Sequence, residues 1–146
     1  MKTVVETALP LAHAAATLYM TGIIWFVQLV QYPLFNRIGQ ERFAEYENNY
    51  TSRTGWVVGP AMLIELATAI ALIYFQHNWV PWIGFALLTV IWGSTIFRQI
   101  PQHKRLEKGF DATTQQKLVR TNWIRTLAWS ARAVIALIIL ETSKTA

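Results

Sequence analysis

Charge is withheld from two long stretches of this chain. Residues 7–36 contain no Asp, Glu, Lys or Arg, and residues 54–97 contain only Glu65. A helix built from such a run is apolar on every side, and a water-soluble domain of this size has no interior large enough to hide it. The partition points to a lipid bilayer as the solvent. Composition agrees: 53% of the 146 residues are hydrophobic and 14% are charged, which excludes intrinsic disorder, and the absence of cysteine excludes a disulfide scaffold. One integral membrane domain over residues 1–146 is expected, without an internal repeat or an interdomain linker.

Crossing the hydrocarbon takes about 20 apolar residues per helix. The chain offers four such segments, at approximately 9–31, 56–76, 79–100 and 121–141. The expected fold is therefore all-α, a transmembrane four-helix bundle; barrel strands would alternate with a period of two, which none of these runs does. A cleaved signal peptide is a poorer reading of the first segment, because Glu6 interrupts the basic start and the apolar run continues far beyond Ala14 to Ala16. Pro10 suits a first helical turn, and Pro33 marks a stop or kink. Gln76-His77-Asn78 and Pro81 make a tight turn between the second and third helices. Ile38, Phe43, Tyr46 and Tyr50, set against Glu41, Arg42, Glu45 and Glu47, suggest a short cytoplasmic amphipathic helix between helices one and two, lying on the inner leaflet. Gly109 reads as a helix stop and Asp111 as the cap of a helix starting near Ala112.

Basic residues set the orientation. Ten of the 13, from Arg37 to Arg125, fall on the side of the two segments joining helices one to two and three to four, in those segments or at the adjoining helix ends, whereas the opposite side has only Lys2 and Lys144. Loops 32–55 and 100–120 are then cytoplasmic and both termini outside, in a bacterial inner (plasma) membrane. The net charge of +5 belongs to anionic headgroups. Nucleic acid is not an expected partner, since no basic stripe with interleaved aromatics lies outside the membrane flanks.

Ionisable groups at membrane depth cost at least ~2.5 kcal/mol on insertion scales and so turn inward to find partners. Glu65 is nine residues past Trp56 and Arg132 nine past Trp123, so both lie at one depth and should form an ion pair or share a water. Asn122, Arg125, Trp129 and Arg132 follow at spacings of three, four and three on one face of helix four. Helix one presents His13, Thr17, Thr21, Gln28 and Gln31 with Trp25 beside them, and helix three presents Trp92, Thr95 and Gln99. Together these predict a polar intramembrane cleft, with Glu65, Arg132 and Arg125 as candidate catalytic groups. Gln28, Gln31, Trp25, Asn122, Trp129 and His103 are the candidate ligand contacts. His103, beside Lys104 and Arg105, either faces headgroups or lines a cytoplasmic mouth from which it donates protons. No metal or other cofactor is expected: His13, His77 and His103 are dispersed, and no Glu-x-x-His pair, glycine loop or nucleophile elbow occurs.

The runs Gln31-Tyr32-Pro33-Leu34-Phe35 and Trp56-Val57-Val58-Gly59-Pro60-Ala61-Met62-Leu63-Ile64-Glu65, with Asn122-Trp123-Ile124-Arg125, Trp129 and Arg132, resemble small four-span bacterial membrane proteins. In layout they are similar to the anthrone-oxygenase-like family. Where that family tends to carry His-Pro, this chain has Tyr32-Pro33. The resemblance implies a four-helix membrane bundle and a hydrophobic aromatic ligand. Three functions fit these residues: binding or modifying a small hydrophobic, quinone-like or phenolic molecule; proton-coupled transport by a small homo-oligomer; and service as an accessory subunit of a membrane complex.

Overall fold

The computed structural model describes the backbone of residues 2–145 and the side chains of residues 6–143. Among these residues the backbone is helical except at three breaks, residues 38–39, 76–79 and 107–111, and it contains no strand. The fold is an all-α four-helix bundle. Four rods are long and apolar enough to cross a membrane: Glu6–Arg37, Gln40–Phe75, Val80–Leu106 and Ala112–Ser143. Large side chains such as Leu63, Ile70, Leu127 and Val134 point outward along them, as lipid rather than water permits. Trp56 at one end, and Trp79 and Trp82 at the other, are strongly exposed where interfacial anchors belong.

The first rod comprises α1 (Lys2–Phe26), a π-helical turn at Val27–Gln31, α2 (Tyr32–Leu34) and a 3-10 turn at Phe35–Arg37. The second is one unbroken helix, α3 (Gln40–Phe75). The third runs through α4 (Val80–Ser94), a π-helical turn at Thr95–Gln99 and α5 (Ile100–Leu106). The fourth is α6 (Ala112–Thr145). Three sequence expectations change in detail. Pro10 lies inside α1 rather than in its first turn, a position tolerated where surrounding helices shield the freed carbonyl. Pro33 widens its helix instead of ending it. The helix expected on the inner leaflet forms, but as the first turns of α3, because no glycine or proline separates Gln40 from Gly55 to break it.

Both wide turns have the same cause. Pro33 and Pro101 each stand two residues beyond a π turn, preceded by Gln31-Tyr32 and Gln99-Ile100. A proline has no N–H for the carbonyl four residues back, and its ring presses on that oxygen. The helix therefore opens by one residue: Tyr32 N–H reaches the Val27 carbonyl and Ile100 N–H the Thr95 carbonyl. π turns of this kind are frequent at functional sites.

Around the bundle, α1 packs between α3 and α6, while α4 packs on α6 and more sparsely on α3. That leaves α3 and α6 at opposite corners. Met20, Ile24, Met62, Ile91, Ala128 and Trp129 form the central apolar cluster. A second, aromatic one of Tyr32, Phe35, Phe43, Leu106 and Leu118 sits where the connecting segments gather. The fourth rod starts as the sequence predicts: Gly109, at φ 142, turns the chain and Asp111 Oδ2 accepts the Thr114 N–H at 2.7 Å.

Candidate functional site

Two buried polar tiers lie along the bundle axis. In the first, Arg132 Nε donates to Glu65 Oε1 at 3.0 Å, joining α6 to α3 across the bundle's diagonal with 1% and 0% of the side chains exposed. Both rods set these groups nine residues from their tryptophan anchors, and the common depth delivers the pair. Three more bonds hold it. Thr17 Oγ1 donates to Glu65 Oε1 at 2.9 Å, Trp129 Nε1 to Oε2 at 3.0 Å, and Arg132 Nη1 to the Gly84 carbonyl. His13 Nδ1 lies 2.9 Å from Thr68 Oγ1 one turn farther along. Glu65 is thereby saturated with donors and its charge is matched by a single cation.

The second tier gathers near the two π turns. Arg125 Nε and Nη2 both donate to Asn122 Oδ1, at 3.0 and 2.5 Å, Nη1 donates to Thr95 Oγ1 at 3.3 Å, and Nη2 also donates to the Tyr32 hydroxyl at 3.3 Å. Asn122 Nδ2 in turn donates to Gln28 Oε1 at 2.9 Å, and Gln28 Nε2 to the Val119 carbonyl. Tyr32 OH meets His103 Nε2 at 2.8 Å, and His103 Nδ1 meets Glu47 Oε1 at 2.5 Å. With its proton on Nδ1, toward the Glu47 carboxylate, a neutral His103 accepts at Nε2 from the Tyr32 hydroxyl, which itself accepts from Arg125. Every rod is represented along the chain of bonds from cation to carboxylate, by Tyr32, Glu47, His103 and Arg125.

Charge separates the two tiers. Arg125 is 9% exposed and Glu47 0%, yet Arg125 has no carboxylate partner among the described residues and reaches Glu47 only through Tyr32 and His103. A buried cation satisfied by neutral acceptors alone is electrostatically prepared for an anion.

Of the sequence candidates, Glu65, Arg132 and Trp129 meet in the first tier, and Gln28, Asn122, Arg125 and His103 in the second. Two stand apart. Gln31 Nε2 bonds Tyr46 OH at 2.5 Å beside the second tier, and Trp25, 36% exposed, bonds Ser130 and meets Trp123 edge-on at the bundle surface. His103 turns inward to Glu47 rather than toward headgroups. The polar side chains bond to one another more than they line an open cleft. Tyr32 and Glu47 were missed as site residues, though each left a signal. Tyr32 lies four residues, one helical turn, beyond Gln28 on the polar stripe of helix one, and Glu47 falls between Phe43 and Tyr50 on the apolar face of its helix. Among the described residues no three His, Asp or Glu side chains gather as a metal requires.

No family model, curated protein or solved structure matches this chain.

Proposed function

We propose that the protein binds, and acts by proton transfer on, a small hydrophobic molecule carrying an acidic hydroxyl or an enolisable carbonyl, phenolic or quinone-like in character. Support comes above all from the buried Arg125 guanidinium that lacks a carboxylate. Such a group stabilises a ligand oxygen as negative charge develops on it. Tyr32, His103 and Glu47 supply the proton chemistry. When the Tyr32 proton passes to His103 Nε2, the new tyrosinate lies against Arg125 and the new imidazolium against Glu47, so both charges form beside opposite ones. The tyrosinate then takes the proton of the ligand's hydroxyl, and Arg125 holds the resulting oxyanion. Glu65 and Arg132, locked to each other, act in this reading as the bundle's internal fastening.

The proposal also covers location. Nine basic residues besides Arg125 lie toward the ends of the rods at which the second tier sits, which supports a bacterial inner membrane with those segments cytoplasmic and both termini outside. A periplasmic alkaline phosphatase fused at the C-terminus is expected to be active, and a fluorescent protein fused there dark. The ligand reading is tested by extracting the protein into polymer-bounded lipid discs and analysing bound molecules by native mass spectrometry. A phenol- or quinone-like adduct that wild type retains and folded Arg125→Met loses supports it. Wild-type protein without an adduct, or an adduct kept by Arg125→Met, overturns it.

A further inference from the structure

Charge is divided unevenly between the two connecting segments. Residues 37–54 balance Arg37, Arg42 and Arg53 with Glu41, Glu45 and Glu47 and carry no net charge. Residues 98–120 set six cations, Arg98, Lys104, Arg105, Lys108, Lys117 and Arg120, against Glu107 and Asp111, a surplus of four. All six are exposed, and among the described residues none of them forms an ion pair or donates a side-chain hydrogen bond. The two carboxylates are engaged with other groups: Glu107 Oε1 accepts from Thr51 on α3 at 3.0 Å, and Asp111 Oδ2 accepts the Thr114 N–H.

Helix register gathers three of these cations along one seam. Where α5 and the π turn before it pass α6, Gln99 Nε2 donates to Thr121 Oγ1 at 3.0 Å, and Thr121 Oγ1 lies 3.3 Å from Gln102 Oε1. Gln99 is buried while Gln102 and Thr121 are half-buried, so the latter two mark the outer lip of the contact. With a turn of about 100° per residue, Arg98 and Arg105 stand roughly 40° and 60° beyond Gln102, on the side away from Gln99. By the same count Lys117 stands roughly 40° beyond Thr121, on the side away from the buried Asn122. The two rods run antiparallel. Arg105 and Lys117 therefore share a level one turn toward the connecting segment, and Arg98 lies one turn the other way. On α6, Arg120 comes three residues before the interfacial Trp123, and Ile124 and Leu127 continue the outward surface as exposed apolar side chains.

We propose that this seam between the third and fourth rods is a binding site for the headgroup of an anionic phospholipid. Arg98 and Arg105 on one wall and Lys117 on the other engage its phosphate, and the acyl chains lie along Ile124 and Leu127. Arginine forks take phosphate oxygens in pairs and lysine adds a point charge, and basic seams between membrane helices suit such headgroups. A free phosphate matches the cations but not the apolar surface that continues from them. Arg125 faces the interior of the same helix and is not part of this site.

Native mass spectrometry of protein released from discs of phosphatidylcholine with a minor share of phosphatidylglycerol tests the assignment. Wild type is expected to retain phosphatidylglycerol in preference to phosphatidylcholine. Arg98→Gln, Arg105→Gln and Lys117→Gln, made together, should weaken that retention by about 100-fold, at roughly fivefold per cation. Arg37→Gln, Arg42→Gln and Arg53→Gln remove as many cations from the same end of the bundle and should leave it unchanged. No preference in wild type, or equal losses in the two triple variants, overturns the proposal, because diffuse charge then accounts for whatever binds. Displacement of the lipid by inorganic phosphate marks a site for the free ion and also overturns it. Should the seam variant not fold, a photoreactive phosphatidylglycerol in wild-type protein decides: crosslinks are expected on residues 98–105 and 117–127, and crosslinks confined to other segments overturn the assignment.

Discussion

The Glu65–Arg132 tier and the Arg125 tier use the same residue types at neighbouring levels of one bundle, and they solve opposite problems. In the first, carboxylate and guanidinium touch, every oxygen of Glu65 is bonded, and no net charge remains. In the second, cation and carboxylate are held apart by a phenol and an imidazole, so charge can be redistributed along the chain of bonds. The lesson is that burial of an arginine does not by itself mark a site. The test is whether its counter-ion is adjacent or displaced.

Breaking the closed tier should give the largest effect. Arg132→Met leaves Glu65 a buried carboxylate with neutral donors only, and about 3–5 kcal/mol of stability should disappear, measured by unfolding in mixed micelles. Adding Glu65→Leu should recover most of it, because the pair then goes as a unit. The open tier should behave differently. Arg125→Met loses a cation that has no carboxylate to abandon, so the expected cost is about 1–3 kcal/mol, from acceptors left unpaired. No carboxylate replacement is needed to rescue folding. If Arg125→Met instead unfolds as completely as Arg132→Met, the contrast fails.

Tyr32→Phe should be milder, about 1 kcal/mol, since it deletes one hydroxyl and leaves the ring in its cluster. Under the proposed function it should nevertheless abolish proton exchange with a bound phenol-like molecule, read by deuterium uptake, while native mass spectrometry still finds the adduct. The smallest effect belongs to Asp111, outside both tiers. Bonds from the Thr114 hydroxyl and amide hold its carboxyl below the usual carboxylate range. The folded value is depressed, so its contribution is present above the unfolded value and fades as pH falls through the folded one. Asp111→Ala should speed amide exchange in the first turn of α6 at neutral pH, and this difference from wild type should vanish in acid.

Much of this was legible in the chain itself. Charge segregation yields the four rods, equal spacing from Trp56 and Trp123 yields the Glu65–Arg132 depth, and Asp111 announces its cap. Departures arose where a helical count is carried too far. Steps of four residues drift by roughly 40° each on a 3.6-residue helix, so the stripe from His13 through Thr17 and Thr21 arrives at Trp25 well off the core face. The π turn then inserts an extra residue, which brings Tyr32 inward in a register that the upstream stripe does not anticipate. Glu47 was grouped with Glu41, Arg42 and Glu45 as the charged set opposite the apolar positions, although it falls between Phe43 and Tyr50. Its burial depends on His103, 56 residues away, a contact no local pattern contains.

Every rod supplies a link between the cation and the carboxylate of the open tier, and these links emerge during synthesis in the order Tyr32, Glu47, His103, Arg125. Until the last rod inserts, the phenol has no guanidinium beside it and Gln28 has no Asn122 to bond. The hydrogen-bond chain of this tier is therefore the final thing the nascent protein completes: a partly threaded chain lacks its cation, and the chain of bonds closes only with the fourth helix.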